Sequence, residues 1–469
     1  MLAANFKRTK IVATVGPATD SAQTIKELVV AGANCLRLNM SHGEHGEHAR
    51  RIAHGRQAQK ELGKPVAILV DLQGPKIRVG ELPPEGIELV GGKTVRLAFH
   101  ADYSTTGIIP VQYDIAKKVK IGETIYLADG RFRLATKKIV GSEITAEVIA
   151  GGTLLSRKGI NLPDTDFGGD ILTVKDIADL AFAVRQKVDY IGLSFVHGAQ
   201  DIIKLKKRLK ILGSHAAVIA KLETRLAVVN MEEIIKASDV VMIARGDLAM
   251  EVLPEEVPVI QQQIVRLGQK YQTPIIVATQ MLMSMTQSPQ PSRAEVSDVA
   301  TAVMQGADAV MLSEETTVGD YPIAAVAMMK RIIIQTQLMA PPPTSDLLSP
   351  VHNQANAIAA AAITLAQQMG AKVIIAETTS GQTARNIASF RPQMPIIMVT
   401  HNLKVYQQMP IIWGGKSFYV KNPKLAARTV IDLLKKAGNV HKGDAIVIAS
   451  GNQSGITGGT DTIRVHIVK

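Results

Sequence analysis

Three charged residues near the middle of the chain have types and spacing suited to chemistry on an anionic substrate. Lys221 and Glu223 lie two residues apart in AVIAKLE (217–223), so on a strand both side chains face the same way. Asp247 ends the run VVMIARGD (240–247). Carboxylates with free oxygens suit a hard cation, so we expect Glu223 and Asp247 to hold Mg²⁺ or Mn²⁺.

Further polar side chains follow other short apolar runs. Where such runs are strands of a parallel barrel, the residues at their carboxyl ends meet on one face and build the active site. A site of this kind would hold both acids and bases. The other candidates at these run ends are Arg37, Asn39, Ser41, His42, Asp71, Lys76, Arg78, Arg245, Gly246, Thr279, Gln280, Ser313, Glu314 and Glu315.

Several common catalytic patterns are missing from the sequence. His42, His45 and His48 come without a thiolate partner, which argues against a zinc site. Neither a G-x-S-x-G elbow nor a Walker-type G-x-x-x-x-G-K-[ST] loop occurs. These absences argue against a serine hydrolase of that type and against a kinase of the P-loop class.

Eight nearly continuous apolar runs must position the candidate residues. Such runs are typical of strands buried on both faces of a parallel sheet, and segments with helical spacing lie between them. Eight strand–helix units favour a (β/α)8 TIM barrel over an open doubly wound sheet. The runs are KIVATVG (10–16), NCLRLNM (34–40), VAILVDLQ (66–73), YIGLSFV (190–196), AVIAKLE (217–223), VVMIARGD (240–247), PIIVATQ (274–280) and AVMLSEE (309–315).

The third and fourth runs are separated by a segment of different texture, 74–170, in which apolar and polar residues alternate. This pattern predicts an inserted antiparallel β domain, in a position where it could act as a lid over the site. The catalytic barrel domain then comprises 1–73 and 171–340. Beyond the proline-rich stretch that ends at 350, alternating strand and helix patterns predict a C-terminal open α/β domain over 341–469.

Composition narrows the function classes. The chain has 469 residues, 46% of them hydrophobic and 20% charged, which is typical of a globular protein with several domains. Cys35 is the single cysteine, which fits a reducing cytoplasm, and no apolar run reaches the ~18–20 residues needed to span a bilayer. The net charge of +12 fits anionic substrates. The basic residues are dispersed and only 4% of residues are aromatic, which argues against nucleic acid as a partner.

Sequence blocks in a specific order make the chain resemble the pyruvate kinase family over essentially its full length. The resemblance implies a homotetramer whose subunit has a TIM barrel, a small inserted β-barrel lid and a C-terminal regulatory domain. It implies phosphoryl transfer from phosphoenolpyruvate to ADP, the last step of glycolysis. The blocks are RTKIVATVGPA (8–18), RLNMSHG (37–43), DLQGPKIR (71–78), KGINLP (158–163), AKLET (220–224), ARGDL (244–248), ATQM (278–281), PSRAEVSDVATAVMQGADAVMLSEET (291–316) and TSGQTAR (379–385).

The resemblance also implies roles for individual residues. Lys221 stabilises the transferring phosphoryl group, Arg37 contacts the phosphates, and Thr279 lies where the enolate is protonated. Ser313 and Glu315 lie near that proton path, and Glu223 and Asp247 hold the divalent ion. The turn Arg245, Gly246 and Asp247 meets the substrate carboxylate. The implied nucleotide-binding residues are Asn39, His42, Arg78, Asp129 and Lys158.

Glu314 stands where glycine is common in the family. The larger departure from the family pattern involves two positions. In many relatives a monovalent cation is bound by residues that match Asn39, Ser41, Asp71 and Leu72, the last of which is usually threonine. Those relatives have glutamate at the position of Lys76. Leucine offers no hydroxyl and lysine brings its own positive charge, so we expect that potassium is not required. The alternative is that Lys76 faces solvent and Leu72 merely packs.

The C-terminal domain contains a candidate effector pocket. Its TTSGQT segment (378–383) leads into a predicted helix, whose N-terminus and hydroxyl groups favour an anion, and a glycine-rich loop (450–461) is expected to close over the ligand. An ordinary capped turn is the alternative. The resemblance implies a phosphorylated effector, with sugar monophosphates, fructose 1,6-bisphosphate and AMP all open. The pocket residues are Thr378, Thr379, Ser380, Gly381 and Thr383.

Two other functions compete with the kinase. A carbon–carbon lyase or mutase that acts on phosphoenolpyruvate would also use a barrel, magnesium and carboxylates at strand ends, because the fold alone does not fix the chemistry. A binding protein with an inactive barrel would have lost Lys221, Glu223, Asp247 or Thr279, and the sequence retains all four.

Overall fold

The first part of the chain forms three parallel strands and the helices between them. The structure is a computed structural model that describes residues 6–128, 130–165, 171–342, 354–451 and 460–469. β1 and β3 are buried along their whole length, as expected for strands covered on both faces. The elements are β1 (Lys10–Thr14), α1 (Ala22–Ala31), β2 (Cys35–Asn39), α2 (His45–Leu62) and β3 (Ala67–Asp71).

An inserted domain leaves the barrel after β3. It has its own aliphatic core, and most of its neighbouring strands are antiparallel. Seven strands form one sheet in the order β4-β12-β8-β9-β10-β6-β7, and β5 pairs with β11. Its elements are β4 (Ile77–Arg78), β5 (Ile87–Leu89), β6 (Thr94–Phe99), α3 (Tyr103–Thr106), β7 (Ile109–Val111), β8 (Thr124–Leu127), β9 (Phe132–Val140), β10 (Glu143–Ala150), β11 (Gly152–Leu154) and β12 (Gly159–Asn161).

The chain then returns to complete the barrel. Eight parallel strands close in the order β1-β17-β16-β15-β14-β13-β3-β2, which confirms the predicted (β/α)8 barrel. The returning elements are α4 (Val174–Arg185), β13 (Tyr190–Leu193), α5 (Ala199–Ile211), β14 (Ala217–Leu222), α6 (Arg225–Val229), α7 (Met231–Ala237), β15 (Val240–Ala244), α8 (Arg245–Glu251), α9 (Val257–Tyr271), β16 (Ile275–Ala278), α10 (Arg293–Gln305), β17 (Ala309–Leu312), α11 (Glu314–Thr317) and α12 (Pro322–Met339).

The C-terminal part is a separate open α/β sheet in the order β20-β19-β18-β21-β22, as predicted. β22 is antiparallel to β21, whereas the other neighbours are parallel. The edge strand β20 has the sequence GKSFY, which is short and partly polar, unlike the apolar strands β18 and β19. The elements are α13 (Gln354–Gln368), β18 (Val373–Glu377), α14 (Gln382–Ser389), β19 (Ile396–Thr400), α15 (Leu403–Gln408), β20 (Gly415–Tyr419), α16 (Ala426–Lys436), β21 (Ala445–Gly451) and β22 (Thr460–Ile467).

The C-terminal domain packs against the amino ends of the barrel strands. Lys10, the first residue of β1, donates to the carbonyl of Gly415 at 2.7 Å. The buried guanidinium of Arg391 donates to the carbonyl of Gly306 and pairs with Asp308 at 2.8 Å, just before β17. The inserted domain leaves from the carboxyl end of β3, so the two smaller domains lie at opposite ends of the barrel. Among the described residues, no helix combines the length and apolar character needed to cross a bilayer.

Candidate active site at the carboxyl ends of the barrel strands

Lys221 lies at the centre of a buried charge network. Its Nζ is 2.8 Å from Ser194 Oγ, 3.1 Å from Glu223 Oε2 and 3.8 Å from Asp71 Oδ1. Burial lowers the pKa of Lys221, but the carboxylates of Asp71, Glu223 and Asp247 oppose burial and leave that pKa above its ordinary value. The amine therefore stays protonated inside a cleft, where a positive charge acts strongly on an anionic substrate.

Arg37 supplies a second fixed positive charge. Its Nε and Nη2 both lie 2.7 Å from Asp71 Oδ2, and its Nη1 donates to Thr14 Oγ1 at 3.1 Å. Burial raises the pKa of Asp71, but Lys221 and Arg37 outweigh it and hold that pKa below its usual range. A single ionised carboxylate thus orients both cations of the site.

Glu223 and Asp247 offer carboxylate oxygens for a divalent cation. Glu223 is 1% exposed, and its Oε1 accepts from the Phe195 amide at 2.8 Å. Among the described residues its buried Oε2 has no hydrogen-bond partner, although Lys221 lies within ion-pair distance. Burial, together with the charge of Asp247, raises the pKa of Glu223 to about 7, although Lys221 opposes the shift. A bound cation would relieve this repulsion, so the pair fits a hard divalent ion.

The number of carboxylates also fits such an ion. Mg²⁺ in proteins is usually held by one or two carboxylates, and Glu223 and Asp247 supply two. Within the described ranges, no group of three or more metal-ligating His, Cys, Asp or Glu side chains occurs.

The turn after β15 is anchored to the turn after β16. The Gly246 amide donates to Thr279 Oγ1 at 2.8 Å, and Thr279 has a φ of +70°, which is rare for a residue with a branched side chain. The Arg245 guanidinium pairs with both oxygens of Asp298 at 2.7 Å and donates to the Thr279 carbonyl at 2.7 Å. The structure thus places the Arg245 side chain in a structural contact that holds the turn in position.

Glu315 fixes the backbone that follows β17. Its side chain is 1% exposed, and its two oxygens accept from the Leu282 amide at 3.0 Å and the Ser313 amide at 2.7 Å. Burial raises the pKa of Glu315 above its ordinary value. Ser313 directly follows β17, and Thr279 directly follows the paired strand β16.

A group of cations surrounds His42 on the side facing the inserted domain. Burial lowers the pKa of His42, and the charges of Arg78, Arg37 and Lys76 lower it further. Arg78 lies on β4, opposite Gly159 on β12. His42 is therefore a neutral side chain among positive groups, an environment that suits phosphate oxygens.

The three other predicted nucleotide-binding residues are Asn39, Lys158 and Asp129. Asn39 Oδ1 accepts from the Ser41 amide at 3.2 Å. Lys158 is exposed on the inserted domain, directly before Gly159. Asp129 lies outside the described residues.

Leu72 and Lys76, the two positions of the larger departure from the family pattern, lie in different environments. Leu72 is 2% exposed and belongs to the core around the barrel. The Lys76 ammonium lies 3.7 Å from Asp247 Oδ1, with its side chain 26% exposed. Lys76 thus faces the candidate metal ligand, whereas the side chain of Leu72 packs.

The predicted effector residues lie at the start of α14. The Gly381 amide donates to Thr378 Oγ1 at 2.9 Å, and Gly381 adopts a φ of +85°. Thr383 Oγ1 lies 2.6 Å from Thr460 Oγ1 on β22. Most of the glycine-rich loop, 452–459, lies outside the described residues. The residues between β18 and the first turn of α14 are Thr378, Thr379, Ser380, Gly381, Gln382 and Thr383.

Sequence reasoning missed Ser194 and Phe195. Ser194 accepts from Lys221 and donates to the Leu72 carbonyl at 2.7 Å. Phe195 has a φ of +55°, and its amide binds Glu223. Both residues follow β13, so applying the strand-end rule to YIGLSFV would have found them.

Comparisons with known proteins agree along the chain. The sequence model of the pyruvate kinase barrel domain matches residues 6–326, and that of the pyruvate kinase alpha/beta domain matches residues 356–466. Pyruvate kinase 2 of Synechocystis is 39% identical, over 99% of this chain and 80% of its own length. Pyruvate kinase of Geobacillus stearothermophilus is 38% identical, over 98% and 80%. Pyruvate kinase of Corynebacterium glutamicum is 38% identical, over 98% of both chains.

Proposed function

Because this chain belongs to the pyruvate kinase family of phosphotransferases, we propose that it moves the phosphoryl group of phosphoenolpyruvate to ADP at Lys221, yielding pyruvate and ATP in the last step of glycolysis. The observation that carries the residue assignment is the protonated Lys221 held by Ser194, Glu223 and Asp71. Phosphoryl transfer needs little covalent chemistry from the protein and much positive charge around the moving group.

Lys221 and Arg37 supply that charge. Asp71 binds Arg37 directly and lies within ion-pair distance of Lys221, so both cations are oriented before substrate arrives. This preorganisation lowers the reorganisation cost of reaching the transition state.

Glu223 and Asp247 hold a divalent ion, Mg²⁺ with Mn²⁺ as the alternative, which neutralises charge on the substrate oxygens when bound. The hydroxyl of Thr279, which accepts from the Gly246 amide, passes a proton to the enolate carbon through water. Ser313 belongs to the same proton path, at the end of the neighbouring strand.

Gly246 leaves space for the substrate carboxylate. Arg245 contributes to this contact by holding the turn in position through its ion pair with Asp298.

The nucleotide lies between the barrel and the inserted domain. Asn39 and His42 bind it from the barrel, and Arg78 and Lys158 bind it from the inserted domain. Asp129, which lies outside the described residues, is the fifth proposed nucleotide-binding residue. The positive charges around His42 support this assignment because ADP carries negative phosphates.

The test is a coupled assay of pyruvate formation from phosphoenolpyruvate and ADP with magnesium. We expect pyruvate only when ADP is present. A lyase or mutase would consume phosphoenolpyruvate without ADP, and an inactive binding protein would form no product. Either result would contradict the kinase assignment.

Potassium is not required for activity. The Lys76 ammonium beside Asp247 already supplies a fixed positive charge, and its field also reaches His42. A potassium ion about 4 Å from that ammonium would be repelled by about 1–4 kcal/mol, depending on the effective dielectric. The buried side chain of Leu72 offers no oxygen to such an ion.

This proposal is tested by titrating potassium chloride at constant ionic strength in buffer free of sodium and potassium. We expect a flat response from the wild type and potassium activation in Lys76→Glu. Many-fold activation of the wild type, or a potassium-independent Lys76→Glu, would contradict the proposal.

A phosphorylated effector binds the C-terminal domain at Thr378, Thr379, Ser380, Gly381 and Thr383. The turn at Gly381 and the start of α14 support this pocket because amides and hydroxyls gather there. Ser380→Asp would place a carboxylate in the phosphate position. We expect that variant to lose its response to glucose 6-phosphate, fructose 1,6-bisphosphate or AMP, whichever activates the wild type, and a full response would contradict the pocket.

The protein works as a cytoplasmic homotetramer. Cys35 is unpaired and buried, which suits a reducing compartment. Analytical ultracentrifugation of the purified chain tests the assembly, and a monomer across the micromolar range would contradict it.

A further inference from the structure

We propose that Asp176 is a positioning residue that clamps the two ends of the inserted domain to the barrel. The chain leaves the barrel at Gly74 and re-enters it at Thr173, immediately before α4. Asp176 Oδ1 accepts from the Gly74 amide at 3.1 Å. Its Oδ2 accepts from the Thr173 amide at 2.9 Å and from Thr173 Oγ1 at 2.6 Å. One carboxylate therefore holds both crossing points.

The chemistry of this contact requires a carboxylate. Asp176 is 0% exposed, and its two oxygens accept three hydrogen bonds. An aspartate at this position of a helix ordinarily binds only the start of its own helix. Asp201, the third residue of α5 as Asp176 is of α4, binds only the start of its own helix. Its Oδ2 accepts from the amides of His197 and Gly198. The bond from Asp176 to Gly74, 102 residues earlier in the chain, goes beyond helix capping.

Gly74, where the chain leaves the barrel, packs closely against residues of the active site. Its φ is +69°, and a Cβ there would lie 2.8 Å from the Phe195 ring and 2.9 Å from Ser194 Cβ. Ser194 accepts from Lys221, and the Phe195 amide binds Glu223. The clamp therefore fixes the outgoing end of the inserted domain against residues that hold the catalytic lysine and a metal-ligand candidate.

A cavity of about 430 Å³ lies beside the clamp, between the inserted domain and the barrel. Pro75 and Ile77 line it from the outgoing segment, Leu162 and Pro163 from the returning segment, and Leu226 and Val229 from the barrel. This space allows the inserted domain to turn while its ends stay fixed. The consequence for catalysis rests on the proposed function, because the turn would bring Arg78 and Lys158 to the nucleotide.

The experiment compares Asp176→Asn with the matched variant Asp201→Asn. Asparagine replaces one of the two carboxylate oxygens with an NH₂ donor, so it cannot accept at both of the positions that face Gly74 and Thr173. Spin labels on Lys138→Cys in the inserted domain and Lys204→Cys on α5 report the distance between the two domains, and the native Cys35 is buried. We expect Asp176→Asn to broaden the distance distribution and Asp201→Asn to leave it unchanged.

Steady-state kinetics test the nucleotide assignment independently of the clamp. With loss of one hydrogen bond, we expect the KM for ADP to rise about fivefold in Asp176→Asn, with the KM for phosphoenolpyruvate unchanged. A distance distribution as narrow as that of the wild type would overturn the clamp. Broadening with an unchanged KM for ADP would support the clamp and contradict the nucleotide assignment. If Asp176→Asn does not fold, Thr173→Ala removes one of the three bonds, and the absence of any broadening would overturn the clamp.

Discussion

Lys221 shows how one residue acquires its chemistry from its neighbours. Burial alone would favour the neutral amine, yet Asp71, Glu223 and Asp247 keep it charged. Ser194 fixes the direction of the ammonium through a 2.8 Å hydrogen bond. An ammonium group that is already oriented in a buried site stabilises an anionic transition state more than an ammonium group in water does.

We predict that Lys221→Met lowers kcat by about 10³-fold, because the charge that stabilises the transferring group is lost. Steady-state kinetics with phosphoenolpyruvate and ADP measure this loss. Lys206→Met is the matched control, since Lys206 also pairs with a barrel carboxylate, Asp239 at 2.8 Å, away from the site. Equal losses in the two variants would show that Lys221 acts only through stability.

At the scale of elements, the site depends on how closely adjacent strands approach. Gly192 on β13 pairs with Asp71 on β3. A Cβ at Gly192 would lie 2.6 Å from Asp71 Oδ1 and 3.2 Å from Asp71 Cα. The absence of a side chain at Gly192 therefore allows Asp71 to reach both Arg37 and Lys221.

We predict that Gly192→Ala lowers kcat by about 10–100-fold, because β3 must shift and misplace the carboxylate that orients the cations. Gly91→Ala is the control, since a Cβ there would meet no atom of the described residues within 4 Å. Activity should be unchanged in the control. Wild-type activity in Gly192→Ala would contradict the proposed role of close strand packing.

At the scale of the whole molecule, buried charges join the barrel to the C-terminal domain. Arg391 pairs with Asp308, and Lys10 donates to Gly415 across the interface. Burial lowers the pKa of Lys10 to about 7, although Asp308 opposes the shift. The folded protein therefore holds this proton less tightly than the unfolded chain does, and folding becomes more favourable as pH rises above 7.

We predict that the free energy of unfolding gains up to about 1.4 kcal/mol per pH unit from Lys10 between pH 8 and 10. Urea unfolding at pH 7, 8 and 9 measures it, as the difference between the wild type and Lys10→Met. That difference should grow with pH, whereas the difference for Lys26→Met, an exposed lysine, should stay constant. A constant difference for Lys10→Met as well would contradict the prediction.

The sequence by itself determined the barrel, the inserted β domain and the C-terminal α/β domain, because apolar periodicity is a local property of the chain. It also indicated Lys221, Glu223 and Asp247, since strand ends and a two-residue spacing can be found without knowing any contact. Only the tertiary structure decided the partners of these residues.

In the structure Arg245 forms an ion pair with Asp298, and Lys76 lies within ion-pair distance of Asp247. Lys221 donates a hydrogen bond to Ser194. These pairs join residues far apart in the chain. Their distances are set by the register of a closed barrel and by the direction of each side chain, neither of which appears in local periodicity.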